Sequence, residues 1–196
     1  MGTIKTTNIE TITGSGTLTL GQSGETITIP SGATLDLSNA TQTGVGGVMT
    51  PVFEVGLSAN QTGILNNSFT KVNFDSEIFD TNNCFASNKF TPNVAGKYFV
   101  YGQIHFQGSN QSITEALTSI YKNGSVYLPA SGCSRQGYIT TWLQYTLTEV
   151  AVSVSTIVDM NGTTDYLELY GYQYINVASI NYSKARTFFG GYKIIE

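Results

Sequence analysis

Residues 96–108 read GKYFVYGQIHFQG. In an extended chain successive side chains point to opposite faces. Tyr98, Val100, Ile104 and Phe106 therefore share one side, and Phe99, Tyr101 and His105 share the other. A strand with one wet face alternates apolar and polar residues, whereas a strand covered on both faces does not. This stretch is apolar or aromatic on both sides near its start. One cover is the core of its own domain. The second is expected to be a neighbouring subunit.

The surrounding sequence has the same texture from Phe53 onward. β-forming segments recur at PVFEVGLS (51–58), TKVNFDSEIFD (70–80), TSIYKNG (118–124), YITTWLQYTLTEV (138–150), VSVSTIVDM (152–160), DYLELYGYQY (165–174) and ARTFFGGYKII (185–195). Many short strands joined by polar turns predict a sandwich or barrel. Asn123-Gly124 predicts a type I′ hairpin, because both central residues of that turn need positive φ. SITEALTSI (112–120) has Ile113, Leu117 and Ile120 at helical spacing, but is read as loop and strand.

Residues 1–43 differ. They contain no aromatic residue, and Ser-Gly recurs at 15–16, 23–24 and 31–32, a step of eight. The candidate rungs TIT (11–13), TLTL (17–20), TITI (26–29) and TLDL (34–37) place Ile12, Leu18, Leu20, Ile27, Ile29, Leu35 and Leu37 on one side and mostly Thr on the other. At about 25 cal/mol per Å² of apolar surface, such a rung does not offset roughly 1–2 kcal/mol of backbone entropy per residue. An ordered shaft here takes its core from other copies of itself; the competing reading is a Thr/Gly/Ser linker. Ile4 and Ile9 are expected to dock the start of the chain on a partner. The expected organisation is a shaft and docking leader over 1–43, a Gly-rich hinge over 44–50, and a β-sandwich head over 51–196.

Composition narrows the function. Charged residues are 11 % of the 196, against about 25 % in an average globular protein. The net charge is −4, without a Lys/Arg run, so no nucleic-acid footprint is present. No apolar run approaches the roughly 18 residues of a membrane span. The start, MGTIKTTNIETIT, lacks the apolar stretch of a secretion signal. Accordingly Asn60, Asn110, Asn123 and Asn161, each in an Asn-x-Ser/Thr triplet, are read as turn residues. Cys84 and Cys133 are read as two thiols, with one disulfide as the other reading.

The residues offer no catalytic set, and the chain is not expected to be an enzyme or to carry a cofactor or metal. His105 lies mid-strand among aromatics, where a packed histidine is expected. No GxSxG elbow and no zinc spacing occur. Asp75 and Glu77 share a strand face and Asp80 lies opposite, so no close carboxylate triad forms. DTNN (80–83) and DMNGTTD (159–165) supply oxygen atoms in loops without the spacing of a calcium loop. Gly14, Gly16, Gly21 and Gly24 are turn glycines, since no Lys-Ser/Thr and no helix follows.

The head resembles the C1q-like domains, which belong to the tumour-necrosis-factor-like jelly rolls. The resemblance rests on FEVGLS (53–58), on 72–106 with Phe90-Thr91, Pro92, Gly96, Tyr98 and Phe99, on IYKNG (120–124), on DYLELYGYQ (165–173) and on TFFGGYKI (187–194). No collagen stalk precedes it. The leader instead looks like the strand-repeat leaders of tailed-bacteriophage fibres. The resemblance implies an all-β homotrimer with Phe53, Phe74, Phe90, Tyr98, Phe99, Tyr101, Phe188 and Phe189 in its core or trimer interface. It also implies a virion structural protein, assembled in the host cytoplasm. Its leader would join other virion proteins, and its head would bind a host surface glycan or protein. The contact loops are expected at 60–68, 81–89, 107–114 and 130–137. The alternative is a capsid decoration or head fibre without a receptor.

Overall fold

A computed structural model describes residues 23–36, 49–108, 113–127, 136–140, 147–175 and 180–194. By backbone contacts the chain divides into two units, Met1–Val45 and Gly46–Glu196.

In the first unit the Ser-Gly repeats at 23–24 and 31–32 are turns. Gly24 and Gly32 have φ of +88° and +85°, and the Ala33 amide donates to the Pro30 carbonyl at 3.0 Å. Positive φ at the third turn position is what a type II turn requires, and glycine supplies it without steric cost. The rungs expected from 26 and from 34 do not pair within one chain: 25–30 and 33–36 carry no ladder. Ile27, Ile29 and Leu35 are 58, 47 and 61 % exposed. The physical reason is the one given above, that a lone rung has nothing to bury against. Ile4, Ile9, Ile12, Leu18, Leu20 and Leu37 lie outside the described residues.

The second unit is all β among its described residues. Its strands are β1 (Val52–Gly56), β2 (Gln61–Ile64), β3 (Thr70–Lys71), β4 (Ser76–Asp80), β5 (Phe85–Ala86), β6 (Lys89–Phe90) and β7 (Gly96–Gln107). They continue as β8 (Ile113–Lys122), β9 (Ser125–Val126), β10 (Gln136–Thr140), β11 (Glu149–Met160), β12 (Leu167–Ile175), β13 (Ile180–Tyr182) and β14 (Phe188–Lys193). Sheet I runs β2-β13-β7-β14-β1-β4, with β11 on the free edge of β7. Sheet II runs β10-β8-β12-β6-β5, with β3 on β12 and β9 on β8.

Eight of these strands carry the architecture: β1, β6, β7, β8, β10, β11, β12 and β14. Numbered in that order, sheet I holds the first, eighth, third and sixth, and sheet II the second, seventh, fourth and fifth. That is a jelly roll, two Greek keys folded into a sandwich.

The alternation of residues explains which faces meet. β11, EVAVSVSTIVDM, buries Val152, Val154, Thr156, Val158 and Met160 and exposes the residues between them. It pairs with β7 along the whole length, from Glu149↔Gln107 to Met160↔Gly96. β7 in turn buries Tyr98, Val100, Ile104 and Phe106. Sheet II answers with Phe90, Ala116, Ile120, Leu167 and Leu169, all at most 1 % exposed. SITEALTSI falls mostly in β8: the long-range ladder to β12 overrides its helical spacing. The expected hairpin is present, with Asn123 at φ 53° and Gly124 at φ 79° between Lys122 and Ser125. Cys84 is a free, buried thiol, which burial pushes above its ordinary pKa.

Candidate binding surfaces

The sandwich has two outer faces, and both carry aromatic side chains. On sheet I, Phe99 and Tyr101 of β7 and Phe188 and Tyr192 of β14 point away from the core and are half-buried. Their rings form a continuous strip, with centroids 5.6 Å apart for Tyr192–Phe99, 6.1 Å for Phe99–Tyr101 and 6.2 Å for Tyr101–Phe188. Tyr101, Gly190 and Glu54 share one cross-strand row over β7, β14 and β1. A Cβ at Gly190 would sit 2.6 Å from the Tyr101 ring, so glycine is what lets that ring lie across β14. At the far side the Tyr101 hydroxyl donates to Glu54 Oε2 at 2.7 Å. Burial, then this carboxylate, push the Tyr101 hydroxyl well above the ordinary tyrosine pKa.

A hollow of about 240 Å³ lies beside the strip, lined by Tyr101, Ser153, Ser155 and Phe188. Ile157, opposite Phe99 in the ladder, is 51 % exposed, and Ile78 on the edge strand β4 is 59 % exposed. This surface is mainly aromatic and aliphatic, with the small residues Ser153 and Ser155 of β11 beside the strip.

Of the eight aromatic residues expected in core or interface, five are interior: Phe53, Phe74, Phe90, Tyr98 and Phe189 are 7 % exposed or less. Those five lie in the core: Phe53, Phe90, Tyr98 and Phe189 are on strand sides that face the opposite sheet, and Phe74, in the segment before β4, packs against Phe85 and Phe189. Phe99, Tyr101 and Phe188 face outward. His105 is also on the outer side of sheet I but is covered. Its Nε2 lies 3.2 Å from Glu149 Oε2, and its backbone amide donates to Thr187 Oγ1.

The outer face of sheet II is the surface that sequence reasoning missed. β12 carries Glu168, Tyr170, Tyr172 and Tyr174 at every second position, the odd positions being buried or filled by Gly171. Tyr170 stacks on Tyr121 of β8 with centroids 4.0 Å apart, and Phe69 lies 5.2 Å from Tyr172. Glu168 is almost wholly covered and is held by Lys71 Nζ at 3.0 Å. The signal was in DYLELYGYQY, whose tyrosines at 166, 170, 172 and 174 share one parity.

The loops expected to touch a ligand are engaged internally where they are described. Residues 61–64 form β2. Asn60 Oδ1 accepts the Lys184 amide, Asn66 exchanges two hydrogen bonds with the Ile175 backbone, and Asn67 Oδ1 accepts the Tyr172 hydroxyl. In 81–89, Asp80 Oδ2 caps the Phe85 amide and Asn88 donates to Asn73. Residues 109–112 and 128–135 lie outside the described set.

Of the two oxygen-rich loops, 159–165 is closed by its own side chains, while in 80–83 Asp80 Oδ2 caps the Phe85 amide and Oδ1 is buried without a hydrogen-bond partner among the described residues. No group of three His, Cys, Asp or Glu suited to a metal occurs among the described residues. Asn161 Oδ1 accepts the amides of Thr163, Thr164 and Asp165 at 2.9, 2.9 and 3.0 Å. Asn123 Nδ2 donates to Asp165 Oδ1 and Lys122 Nζ lies 2.8 Å from Oδ2. The Asn123 bond first, and then Lys122, hold this carboxyl below its ordinary pKa. A lowered folded value means stabilisation that is present above the unfolded value of about 3.9 and lost as pH falls through the folded one. Asp165→Asn should therefore lower stability by about 1–2 kcal/mol at pH 7. Urea midpoints at pH 7 and pH 3 check this, the gap to the unmodified chain closing at the lower pH.

Against this geometry, no family model matches the chain, and no curated protein does. Among solved structures it is similar to murine APRIL. The crystal structure at pH 5.0 is 10 % identical, covers 73 % of this chain and 98 % of its own, and has a TM-score of 0.48. The one at pH 8.0 is 12 % identical with the same coverage and TM-score.

Proposed function

We propose that the chain is the subunit of a homotrimeric appendage with a C1q/tumour-necrosis-factor-like head. In this reading it is a fibre-type structural protein of a tailed-phage virion. The leader joins it to other virion proteins, and the head contacts the host cell surface. The observation that carries the trimer is the aromatic strip Tyr192–Phe99–Tyr101–Phe188 on a sandwich whose own core is already complete. Rings in that position gain most by packing against a second subunit. Ile27, Ile29 and Leu35 in the leader, exposed in a single chain, ask for the same neighbours. The role is one of binding and assembly: the polar groups described above hold loops, and none converges on a reacting centre.

The test is the native mass of the intact chain in dilute solution, together with antibody labelling of purified particles. Three times the chain mass is expected, with label on the particle surface. A monomer would reject the trimer. A trimer without label on any particle would reject the virion role.

A further inference from the structure

We infer that the outer face of sheet II is a binding platform for a neutral polysaccharide chain. The inference rests on the reading of the head as a surface-binding module and names its ligand class.

The first argument is chemical contrast between the two outer faces. Sheet I presents two phenylalanines, and the one tyrosine hydroxyl described there in a bond is held by Glu54. Sheet II presents a row of tyrosines instead, the hydroxyl of Tyr172 bonded to Asn67, with Tyr174 43 % exposed and Phe69 37 % exposed in the same patch. Tyrosine gives flat apolar contact and a hydroxyl at low entropic cost, which suits a partner that is itself part apolar and part hydroxylated. A sugar ring has that character.

The second argument is repeat. Tyr170, Tyr172 and Tyr174 follow one another on one side of a strand, at about 6.7 Å per step. That makes a platform of about 13 Å along β12, extended sideways by Tyr121 of β8 and by Phe69. Hollows of the sandwich lie by Phe74 and Phe85, by Ser153 and Ser155, and by Lys184–Phe188, and none of these is lined by the tyrosine row. A flat, periodic surface fits an extended polymer better than a compact ligand.

The third argument is charge. The charged residues on this side of the sheet II strands are Lys71 and Lys89 against Glu168 and Glu115. Lys71 is paired to Glu168, and the Lys89 ammonium sits 4.0 Å from the centre of the Tyr166 ring. The four charges cancel, so the platform has no net charge to attract an ionic polymer.

The experiment is affinity electrophoresis of the intact chain through native gels containing dextran, mannan or soluble starch. Alginate and heparin gels serve as anionic comparisons, and native mass is measured in parallel. Retardation is expected in at least one neutral gel and not in the anionic ones. Tyr170→Ala and Tyr174→Ala should each weaken it about five- to tenfold, with the native mass unchanged.

Mobility equal to that of a blank gel in all three neutral polymers overturns the inference. So does retardation that both variants retain, or a preference for the anionic polymers. Masses above the trimer that collapse in Tyr174→Ala would assign the face to a second copy and overturn it too. A trimeric mass without retardation rejects the polysaccharide and leaves the trimer. A monomeric mass with retardation does the reverse.

Discussion

Phe53→Ala is expected to lower the stability of the sandwich by about 3–5 kcal/mol, a large share of the roughly 5–15 kcal/mol that folded domains usually have. Phe53 is fully buried on β1 of sheet I. Its ring stacks on Phe90 of β6 at 4.0 Å and 16°, lies 5.6 Å from Phe85 of β5, and meets Phe189 of β14 edge-on at 5.1 Å. β5 and β6 are two residues each, and β6 touches β12 through the single pair Leu167↔Phe90. This corner of sheet II is thus held in place by aromatic packing against sheet I more than by ladder bonds within its own sheet. Truncation removes a ring and leaves a cavity walled by three other rings, which cannot all collapse into it. Phe53→Leu, which keeps much of the volume, should cost less than half as much. Urea unfolding at one fixed protein concentration measures both, since association shifts the apparent midpoint. A loss below about 1 kcal/mol would mean that the cluster repacks and that β1 is held by its ladders to β14 and β4.

The corner also shows which parts of the fold the sequence makes legible. β7 and β11 could be read directly, because each runs for twelve residues: β11 alternates apolar and polar positions throughout, and β7 sets Tyr98, Val100, Ile104 and Phe106 on one side with a second aromatic set on the other. β5 and β6 could not. Two residues carry no period, and their places depend on Ser87 and Asn88, whose φ of 53° and 60° turn the chain between them. β8 carried a misleading helical spacing that only its partner β12 resolves. The outward aromatics of β7 were legible for the same reason as its core. The tyrosine row of β12 was equally periodic, but Tyr also occurs in cores, as Tyr98 and Tyr182 do here at 0 % exposure. Only the pairing of β12 with β8 and β3 settles which side of it is wet. The role of the loops was not legible, because Asn and Ser suit ligands and turns alike; where the loops are described, those side chains also close turns.

The neighbours Phe188 and Phe189 allow the assembly to be tested apart from the fold. Consecutive strand residues face opposite ways: Phe189 is wholly buried in the core, while Phe188 stands half-buried on the outer face of sheet I against Tyr101. Phe188→Asp places a carboxylate where the proposed subunits meet. In a monomer the half-exposed position leaves the carboxylate in reach of water, and losing the ring contact with Tyr101 costs about 1 kcal/mol. In a trimer each carboxylate is desolvated near Glu54 of its own chain, which lines the same hollow as Phe188 together with Lys184 and Arg186. An unpaired charge buried at an interface costs several kcal/mol, and about 3 kcal/mol already weakens association more than a hundredfold. The expected result is a folded monomer at low micromolar concentration by sedimentation velocity, with the circular dichroism of the unmodified chain. Phe189→Ala should behave oppositely, losing about 3–5 kcal/mol of folding stability whatever the state of association. If Phe188→Asp stays trimeric, sheet I is not the contact face, and its aromatic strip must be covered by something other than a second copy of the chain.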